Sequence, residues 1–185
     1  MNIITTPIPD LLVIEPKVFG DERGFFYESF QTQRYQDAGI TCDFVQDNIS
    51  RSAKGVMRGL HFQEPNAQDK LVTVLHGVVY DVAVDVRYGS PTFGQWYGVE
   101  LSDTNRHQFF VPKGFAHGFV VLSDTADFYY KCSDYYHPET EASILWNDPD
   151  IGIEWPTTDV QLSGKDKDAV RLKDFPTDKL PQYEN

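Results

Sequence analysis

Apolar and polar residues alternate along most of the chain in short runs, and turn-forming residues separate these runs. The alternation is strongest over residues 71–87, where a period of two predicts β-strand structure. One face of this stretch is apolar or aromatic. The other face carries Val79, Asp81, Ala83 and Asp85. Small residues beside two carboxylates predict the lining of a cavity, and the alternative is a face turned towards solvent.

The remaining runs predict an all-β protein. About ten short strands separated by turn signals are typical of a sandwich or jelly roll. Beyond residues 71–87, strands are predicted within residues 2–16, 25–30, 44–52, 96–102, 108–111, 125–133 and 143–146, and after a tight turn at residues 112–119.

Helical signals are few. Residues 31–38 predict a short helix that Gly39 would cap, and a second short helix is predicted near residues 165–172. From about residue 148 onward, repeated prolines predict an irregular tail that wraps the body. The length predicts a single domain over residues 1–185.

Composition and charge narrow the classes of function. The formal net charge of −12 argues against nucleic-acid binding, but a local basic pocket could still hold a small anion. No apolar run approaches the ~20 residues of a membrane helix. Residues 1–10 lack the segments of a secretory signal. Cys42 and Cys132 are expected to be unpaired thiols in a reducing cytoplasm, and a disulfide between them is the alternative.

The sequence Arg-Gly-Leu-His-Phe-Gln at residues 58–63 is the main candidate for chemistry, because it is more polar than a core strand requires. His61 can act as a base, since an unperturbed imidazole titrates at pH ~6.5. Arg58 and the nearby Lys70 suit an anionic ligand. In a regular strand Arg58 and His61 would point to opposite faces. A bulge at Gly59 would bring both to one side.

Other classes of chemistry lack their characteristic residues. The histidines include no His-x-His or His-x-x-x-His pair, so no metal is expected, although His61, His117 and a carboxylate could converge in space. A Gly-x-Ser-x-Gly nucleophile elbow and a glycine-rich phosphate loop are both missing. Proton transfer is the chemistry that remains.

The alternation of Phe26, Glu28 and Phe30 places Glu28 on an apolar strand face. A carboxylate there is unfavourable unless it is paired. Either a salt bridge to an arginine or contact with a ligand is therefore expected.

Several longer motifs resemble, in the same order, those of the dTDP-4-dehydrorhamnose 3,5-epimerase family of the cupin superfamily. The resemblance extends from Pro16 to about Asp168, and Pro-x-Gly-x-x-His at residues 112–117 is similar to the second cupin motif. The metal-binding His-x-His of the first cupin motif is absent, as in a metal-free branch. The matching motifs occupy residues 19–26, 46–48, 58–63, 112–119, 130–131 and 143–148.

This resemblance implies a cupin jelly roll with short peripheral helices and an epimerase that needs no cofactor. The implied reaction, in dTDP-rhamnose biosynthesis, converts dTDP-4-dehydro-6-deoxy-D-glucose to dTDP-4-dehydro-L-rhamnose by inversion at C3 and C5. Both carbons flank the C4 ketone, so removal of either hydrogen gives an enolate. Inversion then needs a base on one side, an acid on the other and a cation by the ketone oxygen.

The resemblance also implies the catalytic roles. His61 matches the base, Tyr130 the acid and Lys70 the cation that stabilises the enolate oxygen. Asp166 resembles the carboxylate that orients His61, and Asp81 is a second candidate for that role. Without the resemblance, a core aromatic would be the simpler interpretation of Tyr130.

Substrate-binding positions carry over in the same way. Arg23 and Arg58 match positions that bind the diphosphate, where a guanidinium suits phosphate oxygens. Tyr136 resembles the ring that stacks on thymine. The family forms homodimers in which an N-terminal strand crosses to the neighbour, so Arg23 and Glu28 are expected to complete the partner's site. Further substrate positions are Glu28, Gln46, Asp47, Asn48, His117, Glu141 and Lys165.

Two other classes of function stay open. A relative could act at one carbon only, or isomerise a dTDP-keto-sugar, and Tyr130 argues in part against an isomerase. A non-catalytic cupin could simply bind a nucleotide sugar. The combination of His61, Lys70, Tyr130 and Asp166 favours an enzyme, because a binder has no need of an acid and a base together.

Overall fold

The computed structural model describes residues 1–184 and consists mainly of short β-strands. Within these residues, no helix is long and apolar enough to cross a membrane. The helices are α1 (Thr32–Asp37) and α2 (Gly164–Lys167), and 3₁₀ turns cover Leu172–Asp174 and Thr177–Lys179. The strands are β1 (Asn2–Thr5), β2 (Leu12–Glu15), β3 (Val18–Asp21), β4 (Gly24–Tyr27), β5 (Gln46–Ala53), β6 (Met57–Gln63), β7 (Lys70–His76), β8 (Val78–Asp85), β9 (Trp96–Ser102), β10 (Gln108–Val111), β11 (Phe115–Val121), β12 (Thr125–Cys132) and β13 (Glu141–Ser143).

Two antiparallel sheets form the body of the protein. One has six strands in the order β1-β2-β10-β7-β12-β5, and the other has five in the order β13-β6-β11-β8-β9. Strands β3 and β4 pair only with each other, as a separate hairpin. The non-consecutive neighbours within each sheet give a jelly-roll-like sandwich. The predicted all-β class is confirmed.

The inner faces of the two sheets meet in one apolar core. Val72, Phe109 and Phe128 come from the six-stranded sheet, and Val79 and Phe119 from the five-stranded sheet; all are at most 5% exposed. The rings of Phe119 and Phe128 stack with centroids 4.1 Å apart. Burial of this apolar surface is the main favourable contribution to folding. It also fixes the packing of the two sheets, and so determines which inward side chains are left to line a cavity.

The stretch with the strongest alternation forms two strands, β7 and β8, rather than one. The chain turns at Gly77, so the two strands enter different sheets. The apolar face of β8 points away from the space between the sheets. Its Val82 and Val84 pack in a second buried cluster with Leu172 and Leu180 of the tail.

The tail from Asp148 onward contains only short elements and lies against the five-stranded sheet. Isolated parallel bridges join Val56 to Gln161 and Ile144 to Val170. The helix predicted near residues 165–172 is α2, which begins earlier and lasts one turn. The strand predicted at residues 143–146 is β13, shifted towards the N-terminus, because the backbone N–H of Leu145 donates to Val170 in the tail.

The hairpin of β3 and β4 is exposed. Phe25 and Phe26 are 60% and 69% exposed, so the apolar face predicted for this run is not buried in the chain. Glu28 follows β4 and is also exposed, and its carboxylate accepts a hydrogen bond from Arg34 of α1 at 2.9 Å. The salt-bridge alternative for Glu28 is therefore correct, and its placement on a buried face is wrong.

The predicted bulge at Gly59 is present. His61 pairs with His117 and Arg58 with Phe119, so β6 has one more residue than β11 over this interval. Gly59 has φ of +122°, and a Cβ there would lie 2.5 Å from the Cα of Gly118. Only glycine tolerates both the backbone angle and the close approach of the two strands.

The bulge generates a stability prediction. Gly59→Ala should lower the free energy of unfolding by about 2–4 kcal/mol, because the methyl group adds a backbone clash to an unfavourable φ. Urea denaturation of both proteins measures the loss. Gly89→Ala is the matched control, since Gly89 also has positive φ but a Cβ added there would meet no atom within 4 Å. Equal losses in the two variants would contradict the importance of the close approach.

Candidate active site

A cavity of about 630 Å³ opens between the two sheets. Its size falls in the range of ~300–1,000 Å³ that is usual for small-molecule sites. Strands from both sheets and the tail contribute side chains to its walls. Ten of the predicted site residues line it: Gln46, Asn48, Arg58, His61, Lys70, His117, Tyr130, Tyr136, Glu141 and Asp166.

His61 and Asp166 form the closest polar contact in the cavity. His61 Nε2 lies 2.5 Å from Asp166 Oδ1, and the Asp166 side chain is only 3% exposed. Ser163 caps α2 and its hydroxyl accepts a hydrogen bond from the Asp166 backbone N–H at 3.1 Å, which fixes the carboxylate at the start of the helix. On the other side of the ring, His61 Nδ1 lies 3.7 Å from Glu141 Oε1.

The electrostatic state of Asp166 follows from these contacts. Burial alone would raise the pKa of its carboxyl group, but the contact with His61 and the hydrogen bond at Ser163 outweigh burial and hold that pKa below its usual value. Asp166 is therefore ionised at neutral pH and holds one nitrogen of His61. The other nitrogen remains on the side of the cavity.

Asp81 does not contact His61. Both of its carboxylate oxygens face His117 Nε2, at 2.8 and 3.0 Å. Asp81 is therefore excluded as the residue that orients His61. Asp85, on the same strand face, bonds to Arg87, Ser90 and Thr92. Asp81 and Asp85 are 0% exposed, so the solvent-face alternative for this side of β8 is wrong. The predicted lining is wrong as well, because none of the four residues on this face lines the cavity, and Asp81 only contacts the lining residue His117.

Tyr130 and Lys70 belong to the opposite wall from His61. They lie on the neighbouring strands β12 and β7 of the six-stranded sheet, whereas His61 lies on β6 of the five-stranded sheet. Burial raises the pKa of the Tyr130 phenol and lowers the pKa of the Lys70 ammonium. Cys132, Glu141 and Asp81 partly oppose the shift at Lys70. A base and a phenol thus face one cavity from opposite sides.

Two predicted cations reach the cavity. Arg58 and Lys70 line it, and the Arg58 Nε–H donates to Ser52 Oγ at 3.2 Å. Lys165 lies outside the lining and forms an ion pair with Glu141. Arg23 is on the β3–β4 hairpin with a side chain that is 85% exposed and pairs with Asp21. An acidic protein needs several cations close together to bind an anion. One chain places only Arg58 and Lys70 of the predicted cations in the cavity lining, so it forms this basic pocket only in part.

Asp47 and Glu28 also lie outside the cavity. Asp47 stands between Gln46 and Asn48 on β5, so strand alternation turns it to the outer face of the sheet. There it accepts a hydrogen bond from Lys131 at 3.0 Å. Glu28 lies near the hairpin, bonded to Arg34. Of residues 46–48, Gln46 and Asn48 therefore line this chain's own cavity and Asp47 does not, because only every second residue of the strand faces inward.

Several lining residues were not predicted. Gln63 accepts a hydrogen bond from the His137 backbone N–H at 2.9 Å and donates to the Asn66 carbonyl at 2.7 Å, and so holds the loop that carries Tyr136. Ser50, Phe128 and Cys132 also line the cavity. Alternation alone could have identified them, since each is two residues from a predicted site residue on the same strand.

The geometry does not favour a metal centre. Within residues 1–184, no group of three or more His, Cys, Asp or Glu side chains is arranged to hold a metal ion. His61 and His117 are partners across β6 and β11, but each contacts its own carboxylate. The arrangement instead suits proton transfer between two walls.

Known proteins are similar to this chain in sequence and in structure. A family profile described as dTDP-4-dehydrorhamnose 3,5-epimerase matches residues 5–174. The dTDP-4-dehydrorhamnose 3,5-epimerase of Salmonella typhimurium is 58% identical over 175 residues, which cover 93% of this chain and 96% of the relative.

Solved structures agree. The dTDP-6-deoxy-D-glucose-3,5-epimerase RmlC of Legionella pneumophila, in complex with dTDP-4-keto-L-rhamnose, has a TM-score of 0.97 and 61% identity, over 100% of this chain and 99% of that chain. ChmJ, a 3'-monoepimerase from Streptomyces bikiniensis in complex with dTDP-quinovose, has a TM-score of 0.88 and 35% identity, over 96% and 92%. The predicted cupin-type fold is confirmed.

The contact between Asp166 and His61 generates a prediction for acid stability. Because the folded-state pKa of Asp166 is lowered, its stabilising contribution is present above the unfolded value of ~3.9 and is lost as pH falls through the folded value. The free energy of unfolding of wild type should exceed that of Asp166→Asn at pH 6, and the difference should shrink below about pH 4. Urea denaturation across this pH range measures it.

Asp168→Asn is the control, since Asp168 is exposed at the end of the same helix. A difference between wild type and Asp166→Asn that stayed constant down to acid pH would contradict the assigned contact.

Proposed function

Because the chain belongs to the dTDP-4-dehydrorhamnose 3,5-epimerase family, we propose that it inverts dTDP-4-dehydro-6-deoxy-D-glucose at C3 and C5 to give dTDP-4-dehydro-L-rhamnose. The protein is thus an isomerase of dTDP-rhamnose biosynthesis. The single observation that carries the proposal is the placement of His61 and Tyr130 on opposite walls of one cavity, with Lys70 on the wall of Tyr130.

His61 is the base in this reaction. The hydrogens on C3 and C5 are weakly acidic, since each carbon neighbours the C4 ketone. Asp166 holds His61 Nε2, so the ring presents its remaining nitrogen to the sugar and shares with the carboxylate the charge it gains. Removal of one proton leaves an enolate.

Lys70 stabilises that enolate. Its ammonium can lie beside the C4 oxygen, where negative charge develops, and an electrostatic contact of this kind is strongest in a site that excludes water. Burial lowers the pKa of Lys70, which makes its ammonium a stronger hydrogen-bond donor to the enolate oxygen.

Tyr130 returns a proton from the opposite face. Burial raises the pKa of its phenol, so it stays protonated at neutral pH and available to the basic enolate carbon. Removal of a proton from one wall and delivery from the other invert the carbon. No redox or metal cofactor takes part in these steps.

The nucleotide diphosphate lies towards Arg58 and Tyr136. The Arg58 guanidinium offers paired donors to phosphate oxygens, and the half-exposed ring of Tyr136 offers a face for thymine. Gln46, Asn48, His117 and Glu141 supply further polar contacts from the cavity wall, and Lys165 approaches through its pair with Glu141.

A second copy of the chain completes the site. The β3–β4 hairpin carries Arg23 together with exposed Val18, Phe19, Phe25 and Phe26, and an apolar surface of this kind is typical of an interface. Inserted beside a neighbouring barrel, the hairpin would supply Arg23 as an additional contact for the diphosphate, and Glu28, which follows β4, would supply a hydrogen-bond acceptor for another part of the substrate. The homodimer also covers the unpaired edge of β5.

The site belongs in the cytoplasm and needs neither nucleic acid nor a membrane. Cys42 and Cys132 are both free thiols, as expected in a reducing compartment. The net charge of −12 would repel nucleic acid.

A mono-epimerase is the second candidate, favoured by the similarity to ChmJ. The two enzymes differ in the number of carbons that exchange hydrogen with solvent. Proton NMR of dTDP-4-keto-6-deoxyglucose in D₂O with wild-type protein therefore decides: loss of both the C3 and C5 signals supports the 3,5-epimerase, and loss of one supports the mono-epimerase.

The same assay separates base from acid. His61→Asn should abolish deuterium incorporation at both carbons, with kcat reduced by about 10³-fold or more, because the base is lost. Tyr130→Phe should still exchange deuterium but return it largely to the original face, so exchange outpaces epimerisation.

His76→Asn and Tyr129→Phe serve as controls, because both side chains lie away from the cavity. Deuterium exchange that persisted in His61→Asn would remove His61 from the role of base. Unchanged epimerisation in Tyr130→Phe would assign the acid to another group.

Exchange of the hairpin between protomers has its own test. Arg23→Ala and His61→Ala should each be nearly inactive alone, but a mixed dimer joins an intact cavity to an intact partner hairpin. The mixed dimer, purified through different affinity tags on co-expressed protomers, should therefore regain about half of wild-type activity, because one of its two sites is intact. Absence of any recovery in the purified mixed dimer would show that Arg23 acts within its own chain.

A further inference from the structure

The cavity wall contains a buried His–Asp pair that is separate from the pair of His61 and Asp166. His117 on β11 and Asp81 on β8 are neighbours in the five-stranded sheet, and both Asp81 oxygens lie within 3.0 Å of His117 Nε2. Asp81 is 0% exposed and His117 is 8% exposed. No other side chain in residues 1–184 hydrogen-bonds to the Asp81 carboxylate.

The second nitrogen of His117 faces the cavity. Within residues 1–184, no group forms a hydrogen bond to His117 Nδ1. Among the buried side-chain nitrogen and oxygen atoms of these residues, only Ser143 Oγ lacks a hydrogen-bond partner, so Nδ1 is not one of the buried atoms. Nδ1 is therefore accessible, and His117 itself lines the cavity. The ring is held from its other side by Phe128, with centroids 6.2 Å apart.

The bridge to Asp81 determines whether Nδ1 carries hydrogen. If the shared proton lies on Nε2 and the imidazole is cationic, Nδ1 carries hydrogen. If that proton lies on Asp81, Nε2 accepts it and the neutral ring again carries hydrogen on Nδ1. A bare Nδ1 would require an ionised, fully buried Asp81 that receives a hydrogen bond only from a neutral ring, which is unfavourable even with the charge of Lys70 acting on it. Asp166 differs, because contacts with Ser163 and with the Gly59 backbone also favour its ionised form.

We propose that Asp81 is a positioning residue that makes His117 Nδ1–H a hydrogen-bond donor to the C4 oxygen of the keto-sugar, so that His117 and Lys70 together stabilise the enolate. The proposal rests on the epimerase function given above. Asp81 itself does not touch the substrate; it acts through His117.

The surrounding charges agree with this assignment. Burial raises the pKa of Asp81 and so favours retention of a proton in the pair, while His117 and Lys70 act in the opposite direction. Lys70 and His117 both line the cavity, so the ammonium and the imidazole can reach one bound ligand. His61, the register partner of His117 across β6 and β11, is a further titratable group on the same wall, and Tyr130 and Glu141 also line the cavity.

Asp85 provides a matched control. It lies on the same face of β8 as Asp81 and is equally buried, yet it bonds to Arg87, Ser90 and Thr92, away from the cavity. Loss of either carboxylate should reduce stability, but only loss of Asp81 should alter His117.

The first measurement is made on the whole wild-type protein without substrate. ¹⁵N-histidine labelling and long-range ¹H–¹⁵N NMR report which ring nitrogens carry hydrogen, and His117→Gln identifies the His117 signals. The expected result is a protonated Nδ1 at pH 7–8. A bare Nδ1 in wild type would overturn the proposal, and this result does not depend on any enzymatic activity.

The second measurement is kinetic. In Asp81→Ala, kcat should fall by about 10²-fold, as for loss of one oxyanion donor, with little change in KM because the diphosphate contacts remain. Folded Asp85→Ala should keep kcat within about threefold of wild type. Asp81→Asn keeps the shape of the side chain and replaces the alanine variant if that variant does not fold. In Asp81→Asn, kcat should rise and fall with the fraction of His117 that carries hydrogen on Nδ1.

A kcat for Asp81→Ala or Asp81→Asn that is independent of the state of Nδ1 would overturn the positioning role. Failure of the epimerase function itself is recognised separately, because wild type would then incorporate no deuterium into the keto-sugar.

Discussion

The close approach of β6 and β11 at Gly59 and Gly118 is the constraint on which the site depends. An extra residue in β6 at this point turns Arg58 and His61 to the same side of the sheet, which a regular strand cannot do. The approach is possible because neither position carries a Cβ: a methyl group at Gly118 would lie 2.6 Å from the Arg58 carbonyl oxygen. The two glycines thus permit the bulge that turns the side chains of Arg58 and His61 into the cavity.

The sandwich architecture then supplies the two-sided chemistry. A cavity between facing sheets presents groups to both faces of a sugar ring, with His61 on one wall and Tyr130 on the other. Burial between the sheets also tunes these groups, since it keeps the Tyr130 phenol protonated and lowers the pKa of Lys70. A single sheet with a ligand on its surface could provide neither the opposed geometry nor the low dielectric.

Much of this arrangement could be predicted from sequence, because period-two alternation and turn residues are local signals. The β-class, the helix at α1 and the bulge at Gly59 all follow from such signals. Long-range partnerships do not: whether Asp81 or Asp166 meets His61 depends on how β8 and the tail pack. At β5 the motif over residues 46–48 does not separate the inward Gln46 and Asn48 from the outward Asp47, whereas strand alternation does.

The position of Asp166 in the tail has a consequence for the order in which the protein becomes active. Every strand of both sheets precedes residue 148, so all of them are synthesised before the partner of His61. The tail must then dock through its bridges at Gln161 and Val170 and through the Leu172 N–H bond to Asp148. A chain cut before residue 166 would therefore contain every strand of both sheets but lack the carboxylate that orients the imidazole, so catalytic competence depends on the tail.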